Sequence, residues 1–351
     1  MAANNVLVTG VSGYLGGHLA ARLAEDDRID RVIGVDTAAP SPELTALMGR
    51  AEFVRADIRN PLISRVITTA KVDTVVHASP TAHPSGPGAR PLHKEMNVIG
   101  TMQLLAACQR SPLVRKIVVK STAAVYGAGP RDPAVFTEEM VAASRLPSSG
   151  YAQDNAEIES YVRGFGRRRP DVAITTLRFT NLIGPTVDTV LTRYFSLPGT
   201  VPMVLGRDAR LQLLHAEDAL AVLHRAVEQD LPGVFNVGGD GILLLSQAIR
   251  RAGRIPLPVP ARIVGPVVGA SKSLLGGARL LDFGPEQVRF LTFGRVVDNT
   301  KLKTVFGYTP RWTTRQAFDD YVHGKGLRPA ISPDRLDEVE RGVLAAVDLL
   351  R

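Results

Sequence analysis

Val6-Leu7-Val8-Thr9-Gly10-Val11-Ser12-Gly13-Tyr14-Leu15-Gly16-Gly17-His18-Leu19 is the stretch whose reading decides the fold. An apolar run leads into three glycines spaced three apart, and an amphipathic pattern follows in Leu15, Leu19 and Leu23. This reads as strand, tight turn, helix. Gly10 lets the chain turn sharply, Gly13 lets backbone approach a pyrophosphate, and Gly16 lets the helix pack close to the strand. The pyrophosphate would sit on the free N–H groups and the positive dipole end of that helix. Gly10, Ser12, Gly13, Tyr14, Leu15 and Gly16 are therefore candidate cofactor contacts.

A second apolar run, Arg31-Val32-Ile33-Gly34-Val35-Asp36, ends in acid 20 residues after Gly16. A carboxylate there accepts hydrogen bonds from the adenosine ribose hydroxyls and repels a 2′-phosphate. The expectation is NAD rather than NADP.

The whole chain bounds the reading further. Its 351 residues allow one large domain or two ordinary ones, and 45% hydrophobic content suffices for a core. No run of about 18 uncharged apolar residues occurs, so no membrane span is expected. The N-terminus enters a strand at once, which points to a cytoplasmic protein without a signal peptide. A single cysteine, Cys108, excludes an internal disulfide and a cysteine-based metal cluster. The net charge is +8, but the basic residues are scattered apart from Arg167-Arg168-Arg169. No aromatic-interleaved basic strip marks a nucleic-acid partner. His83 and His93 have no carboxylate or histidine at ligand spacing, so no metal site is expected.

Strands and helices alternate through the first half. Strands are expected at 51–57, 72–78, 116–120 and 173–178, and helices at 41–50, 60–71, 92–110 and 150–168. The alternation implies an α/β fold, a doubly wound parallel sheet of the Rossmann type. Such sheets bind ligands beyond the carboxyl ends of their strands, where Gly10, Asp36, Asp57, Ala78, Ser121 and Arg178 fall. Residues 1–185 form the dinucleotide-binding domain, rejoined by a helix and strand at about 213–240. Residues 186–212 and 241–330 form a smaller, discontinuous substrate lobe. Residues 332–351 form a C-terminal helix with one apolar stripe, which packs on the protein itself or on a second copy in a homodimer. Residues 255–281 are apolar and carry only cations; helices lining the lobe are preferred there over membrane contact.

The chain resembles an extended short-chain dehydrogenase/reductase of the NAD-dependent epimerase/dehydratase group, whose best-known members are nucleotide-sugar 4-epimerases. The likeness runs to about residue 325. It is carried by the three glycines, Asp36, Asp57, His77-Ala78, Asn97-Val98-Ile99-Gly100-Thr101 and Ser121-Thr122-Ala123-Ala124-Val125-Tyr126-Gly127. It continues through Tyr151, Arg178-Phe179-Thr180-Asn181-Leu182-Ile183-Gly184-Pro185, His215-Ala216-Glu217-Asp218, Asn236-Val237-Gly238 and Phe306-Gly307-Tyr308-Thr309-Pro310. The resemblance implies NAD, a nucleotide-sugar substrate and transient oxidation of a sugar hydroxyl. It adds Ile58, His77, Ser79, Asn97 and Ser121 to the cofactor contacts. Thr81, Thr122, Tyr126, Asn181 and His215 become the substrate contacts.

In that family a Ser or Thr, a Tyr and a Lys share the proton work. Thr122 matches the hydroxyl and Tyr151 the general base. The family's lysine, four residues after the tyrosine, is Asn155 here, and no lysine occurs between Lys120 and Lys272. A free phenol, with pKa about 10, is a poor base near neutral pH. On sequence alone Asn155 could bond the cofactor ribose but supplies no charge, and Asn155→Lys is expected to raise turnover about 10- to 1000-fold. The competing expectation is a catalytically impaired NAD-binding scaffold or sensor, membrane-peripheral in one version.

Overall fold

The computed structural model describes residues 4–78, 89–140, 150–260 and 284–327. Thr81 and Ser79, residues 261–281 of the cationic apolar segment and the C-terminal helix expected at 332–351 lie outside the described residues.

Seven strands form one parallel sheet. The first six are β1 (Asn5–Thr9), β2 (Arg31–Asp36), β3 (Glu52–Arg55), β4 (Thr74–His77), β5 (Lys116–Thr122) and β6 (Ala173–Phe179). Gly233–Val237 joins beside β6 as the outermost strand. From that edge the order is Gly233–Val237, β6, β5, β4, β1, β2, β3. The chain thus winds outward from β1 in both directions, and the reversal falls between β1 and β4. The central strands are runs of Val, Ile and Leu because both of their faces are covered.

Among the described residues, six α-helices fill the first half. They are α1 (Tyr14–Ala24), α2 (Pro42–Leu47), α3 (Ile63–Thr69), α4 (Ala89–Lys94), α5 (Gly100–Arg110) and α6 (Tyr151–Arg168). One face of the sheet packs on α1 and the helix Ala216–Glu228, through Val6, Val8, Leu19, Leu23, Leu223 and Phe235. The other packs on α3, α5 and α6, through Leu7, Ile33, Ile117, Leu104, Ile158 and Phe165. Cys108 is buried in that second core, and burial pushes its thiol up to about 12, so it serves as a small apolar side chain.

Two expectations change. The helix expected over 92–110 is three pieces, with a wide π turn at Glu95–Ile99 joining α4 to α5. The helix expected from 213 starts at Ala216, because Leu213–His215 is extended and pairs with Asn181–Ile183.

The lobe has its own core, in which Tyr194, Phe195, Phe318 and Tyr321 are fully buried. Ile255–Val259 is a strand, not a helix, and pairs with Thr200–Val204. Asp218 ties the lobe's return to the sheet domain: its carboxylate accepts from Tyr308 Oη at 2.7 Å, Arg311 N at 2.9 Å and Trp312 N at 3.1 Å.

Candidate active site

A cavity of about 700 Å³ opens at the carboxyl ends of the strands, between sheet and lobe. Its floor begins at the glycine turn. Gly10 has φ +78, a conformation that favours glycine. A Cβ on Gly16 would stand 2.2 Å from Gly10 O, so α1 meets the turn with no room for a side chain. Gly13 is the N-cap of α1 and has no side chain to satisfy the helix's first N–H groups. Those donors end on the cavity wall with Ser12, Gly13, Tyr14, Leu15 and Gly16. This is a cradle for an anion.

Asp36 lies on the same wall. Its Oδ2 accepts from Ser12 N at 3.0 Å and Ser12 Oγ at 2.6 Å, and its Oδ1 accepts from Thr37 N at 2.7 Å. The bonds fix the carboxylate and leave lone pairs for further donors. Ala56, Ile58, Ala78 and Asn97 continue the wall. Among the described residues Thr180 Oγ1, on the wall, is buried without a hydrogen-bond partner. The narrow glycine cradle, the fixed acid at the end of β2 and this unpaired hydroxyl together fit a dinucleotide.

The far end holds the reactive side chains. Thr122 and Lys120 share one face of β5, because strand side chains alternate. Both line the cavity, as do Ser121, Tyr151 and Asn181. Thr122 Oγ1 accepts from Ala124 N at 3.1 Å, which leaves its proton for another acceptor. Tyr151 opens α6 after Gly150, whose φ is +135. From the lobe, Glu286 Oε2 accepts from Ala152 N at 3.3 Å at the start of α6. Arg295 lines the lobe side, its Nε donating to Gly127 O at 2.6 Å.

The structure brings one unforeseen group to Tyr151. Lys120 Nζ lies 3.4 Å from Tyr151 Oη and 5.8 Å from the ring centre. The expectation that no lysine reaches the phenol is thus corrected. The family spacing runs along the helix, whereas the ammonium arrives from the strand that α6 packs on.

Five candidates sit behind the wall rather than on it. Asn155 is fully buried; its Nδ2 donates to Tyr151 O at 2.9 Å, and its Oδ1 meets no donor among the described residues. His77 is buried between Thr9 Oγ1 at 2.9 Å and Thr101 Oγ1 at 2.8 Å. The Thr101 hydroxyl donates to Asn97 O, so His77 Nε2 carries the proton and Nδ1 accepts from Thr9. Burial, and then the Lys120 ammonium, pushes His77 down to about 3. Asp57 is held by Arg59, whose Nη2 is 2.6 Å from Oδ2, and the Arg59 guanidinium keeps its carboxyl below the usual range. Tyr126 is 1% exposed, stacks on Phe136 and donates to Asn236 Oδ1 at 2.7 Å. His215 caps the helix Ala216–Glu228, stacks on Trp312 and meets Asp320 at 3.0 Å. Their motifs hold the walls in place.

Asp26, His224 and Glu228 form the one cluster with metal-ligand spacing among the described residues. Arg28 donates to both carboxylates there, so a guanidinium already neutralises them. No described helix is long and apolar enough to cross a membrane.

The comparisons with known proteins agree with this architecture. The chain is 54% identical over 332 residues to an uncharacterised protein of Mycobacterium tuberculosis, covering 94% of this chain and 86% of the relative. It is 29% identical over 189 residues to a probable UDP-arabinose 4-epimerase of Oryza sativa subsp. japonica, covering 51% and 45% of the two chains. The crystal structure of UDP-glucose 4-epimerase from Thermotoga maritima with UDP-glucose superposes with a TM-score of 0.68 at 21% identity, over 91% of this chain and 98% of that one. UDP-glucuronic acid 4-epimerase from Bacillus cereus in complex with NAD gives 0.64 at 19% identity, over 96% and 99%. A sequence model of the NAD dependent epimerase/dehydratase family matches residues 6–238, and the chain belongs to that family.

Proposed function

We propose that the protein is an NAD-dependent enzyme that epimerises or dehydrates a nucleotide sugar through transient oxidation of a sugar hydroxyl. The observation that carries this reading is the layout of a single cavity. An anion cradle and a fixed ribose-binding acid stand at one end, and Thr122 and Tyr151 stand together at the other.

The start of α1 would hold the NAD pyrophosphate and Asp36 the adenosine ribose hydroxyls. Bound there, NAD supplies the hydride acceptor and donor. The chain's own residues handle the proton. Thr122 Oγ1, with its acceptor side taken by Ala124 N, donates to the sugar oxygen. Tyr151 Oη takes the hydroxyl proton and returns it when the ketone is reduced. Arg295, a planar cation on the lobe side, suits the substrate's diphosphate. Pro285–Phe293, which contributes Glu286, Gln287, Phe290 and Leu291 to the wall, limits access of water.

The test begins with titration calorimetry of NAD and NADP, where NAD should bind more tightly. The purified protein is then incubated with NAD and, separately, UDP-glucose, UDP-galactose, UDP-glucuronic acid and dTDP-glucose, and the sugars are separated by chromatography. An epimer or a 4-keto-6-deoxy sugar from one of them is expected. Failure of NAD to bind would overturn the reading.

A further inference from the structure

We propose that Lys120 is the cationic partner of Tyr151, a positioning residue that acts through the phenol oxygen and takes the place of a charge that position 155 lacks. The inference rests on the proposed proton role of Tyr151.

Three observations converge. Lys120 Nζ is 3.4 Å from Tyr151 Oη, long for a hydrogen bond and close for an electrostatic contact. Lys120 and Thr122 are two residues apart on β5, so the residue that orients the sugar oxygen and the one that charges the base project from one strand face. Asn155, one helical turn after Tyr151, is turned inward on Tyr151 O and carries no charge. A phenol that gives up a proton in this cavity leaves a negative charge within reach of an ammonium, which stabilises it. The balance is simple: the phenolate takes the hydroxyl proton of the substrate and becomes phenol, while Lys120 keeps all its protons.

The other charged groups do not supply this cation. On α6, Asp154 and Glu157 are acids, and Glu157 faces Lys94 at 3.3 Å. Glu95, on the π turn, pairs with Arg59 at 3.2 Å. Glu159 pairs with Arg178. Across the cavity Asp188 pairs with Arg193 at 2.6 Å, Glu286 meets the start of α6, and Arg295 is held on Gly127 O. His77, on neighbouring β4, is held neutral in its threonine clamp.

The test has an arm that needs no substrate. Protein labelled with 13C at tyrosine Cζ is titrated by NMR, with Tyr151→Phe assigning the resonance. In Lys120→Met the Tyr151 midpoint should move to alkaline pH by roughly 1–3 pH units, and Lys120→Arg should bring it back toward wild type. Lys120→Gln carries the same expectation where the Met variant does not fold. The second arm is the pH–rate profile on any sugar that turns over. Lys120→Met should lose about 10- to 1000-fold at neutral pH and recover toward alkaline pH. A Tyr151 resonance unmoved by Lys120→Met overturns the proposal even if epimerase activity stands. The expected NMR shifts without turnover of any sugar would instead fault the proposed substrate class.

Discussion

Glu159 and Arg178 form a bidentate ion pair buried beneath the cavity, with Nε to Oε1 at 2.9 Å and Nη2 to Oε2 at 2.7 Å. Ser121 Oγ donates to the same Oε1 at 2.6 Å, and Ser121 is the register partner of Arg178 across β5 and β6. Arg178 Nη1 also donates to Tyr126 Oη at 2.7 Å, whose hydroxyl passes on to Asn236. One helix, two central strands and the outer strand are thus joined where the reactive side chains emerge. Removing Glu159 leaves the Arg178 guanidinium buried without its counterion. Glu159→Gln should cost about 3–5 kcal/mol of stability, read by urea denaturation. The double replacement Glu159→Leu with Arg178→Met should cost less than the two single changes added together.

The glycine turn makes a second prediction, because its glycines differ in the room they have. A Cβ on Gly16 meets Gly10 O at 2.2 Å and Gly10 C at 2.6 Å, both backbone atoms, so the turn must move. On Gly13 the nearest atom is Gly10 O at 3.4 Å, an ordinary contact. Gly16→Ala should therefore lower stability, by about 1–3 kcal/mol as overpacking does, and weaken NAD binding. Gly13→Ala should leave the melting temperature near wild type and still weaken NAD binding, since its methyl group occupies the cavity wall. Calorimetry and thermal melts on the two variants separate a folding defect from a binding one.

Buried His77 sets an acid limit. Its folded value is lowered from 6.5 to about 3, by burial first, so the unfolded chain takes up a proton there at higher pH than the folded one. The stabilising contribution is full above about 6.5 and is lost as pH falls from there toward about 3. The melting temperature of wild type should fall across that window. His77→Gln should flatten the His77 part of the fall, even if it lowers the melting temperature at neutral pH. A wild-type and variant difference that does not change between pH 7 and pH 4 would reject the assignment.

What the sequence disclosed and what it hid have physical causes. The glycine turn, Asp36 and the parallel sheet are written in local pattern: apolar runs at strand length, glycines where backbone must come close, an acid at a strand end. Tyr126 and His215 lie within recognisable motifs, but whether a motif residue faces ligand or braces a wall depends on partners such as Asn236 and Trp312, far away in sequence. Lys120 was hidden for the same reason. Its meeting with Tyr151 spans 31 residues and is created by α6 settling on β5. A signal did exist, since the period of two places Lys120 on the face of Thr122.

On sequence alone Asn155→Lys is an activating change; in the folded protein it is not. With no cation near Tyr151, Asn155→Lys would raise neutral-pH turnover about 10- to 1000-fold. The structure already places an ammonium 3.4 Å from the phenol oxygen, and Asn155 is fully buried, its amide on Tyr151 O. A lysine there must enter a closed site beside a like charge. Asn155→Lys should therefore give no gain at neutral pH and should lower the melting temperature. Made in the Lys120→Met background, the same change meets no rival charge, so the added lysine should restore part of the lost neutral-pH activity. Parallel pH–rate profiles and thermal melts of wild type, the two single variants and the double variant decide it. A large gain from Asn155→Lys alone would show that Lys120 does not serve the phenol, and that the charge missing from position 155 was missing from the site.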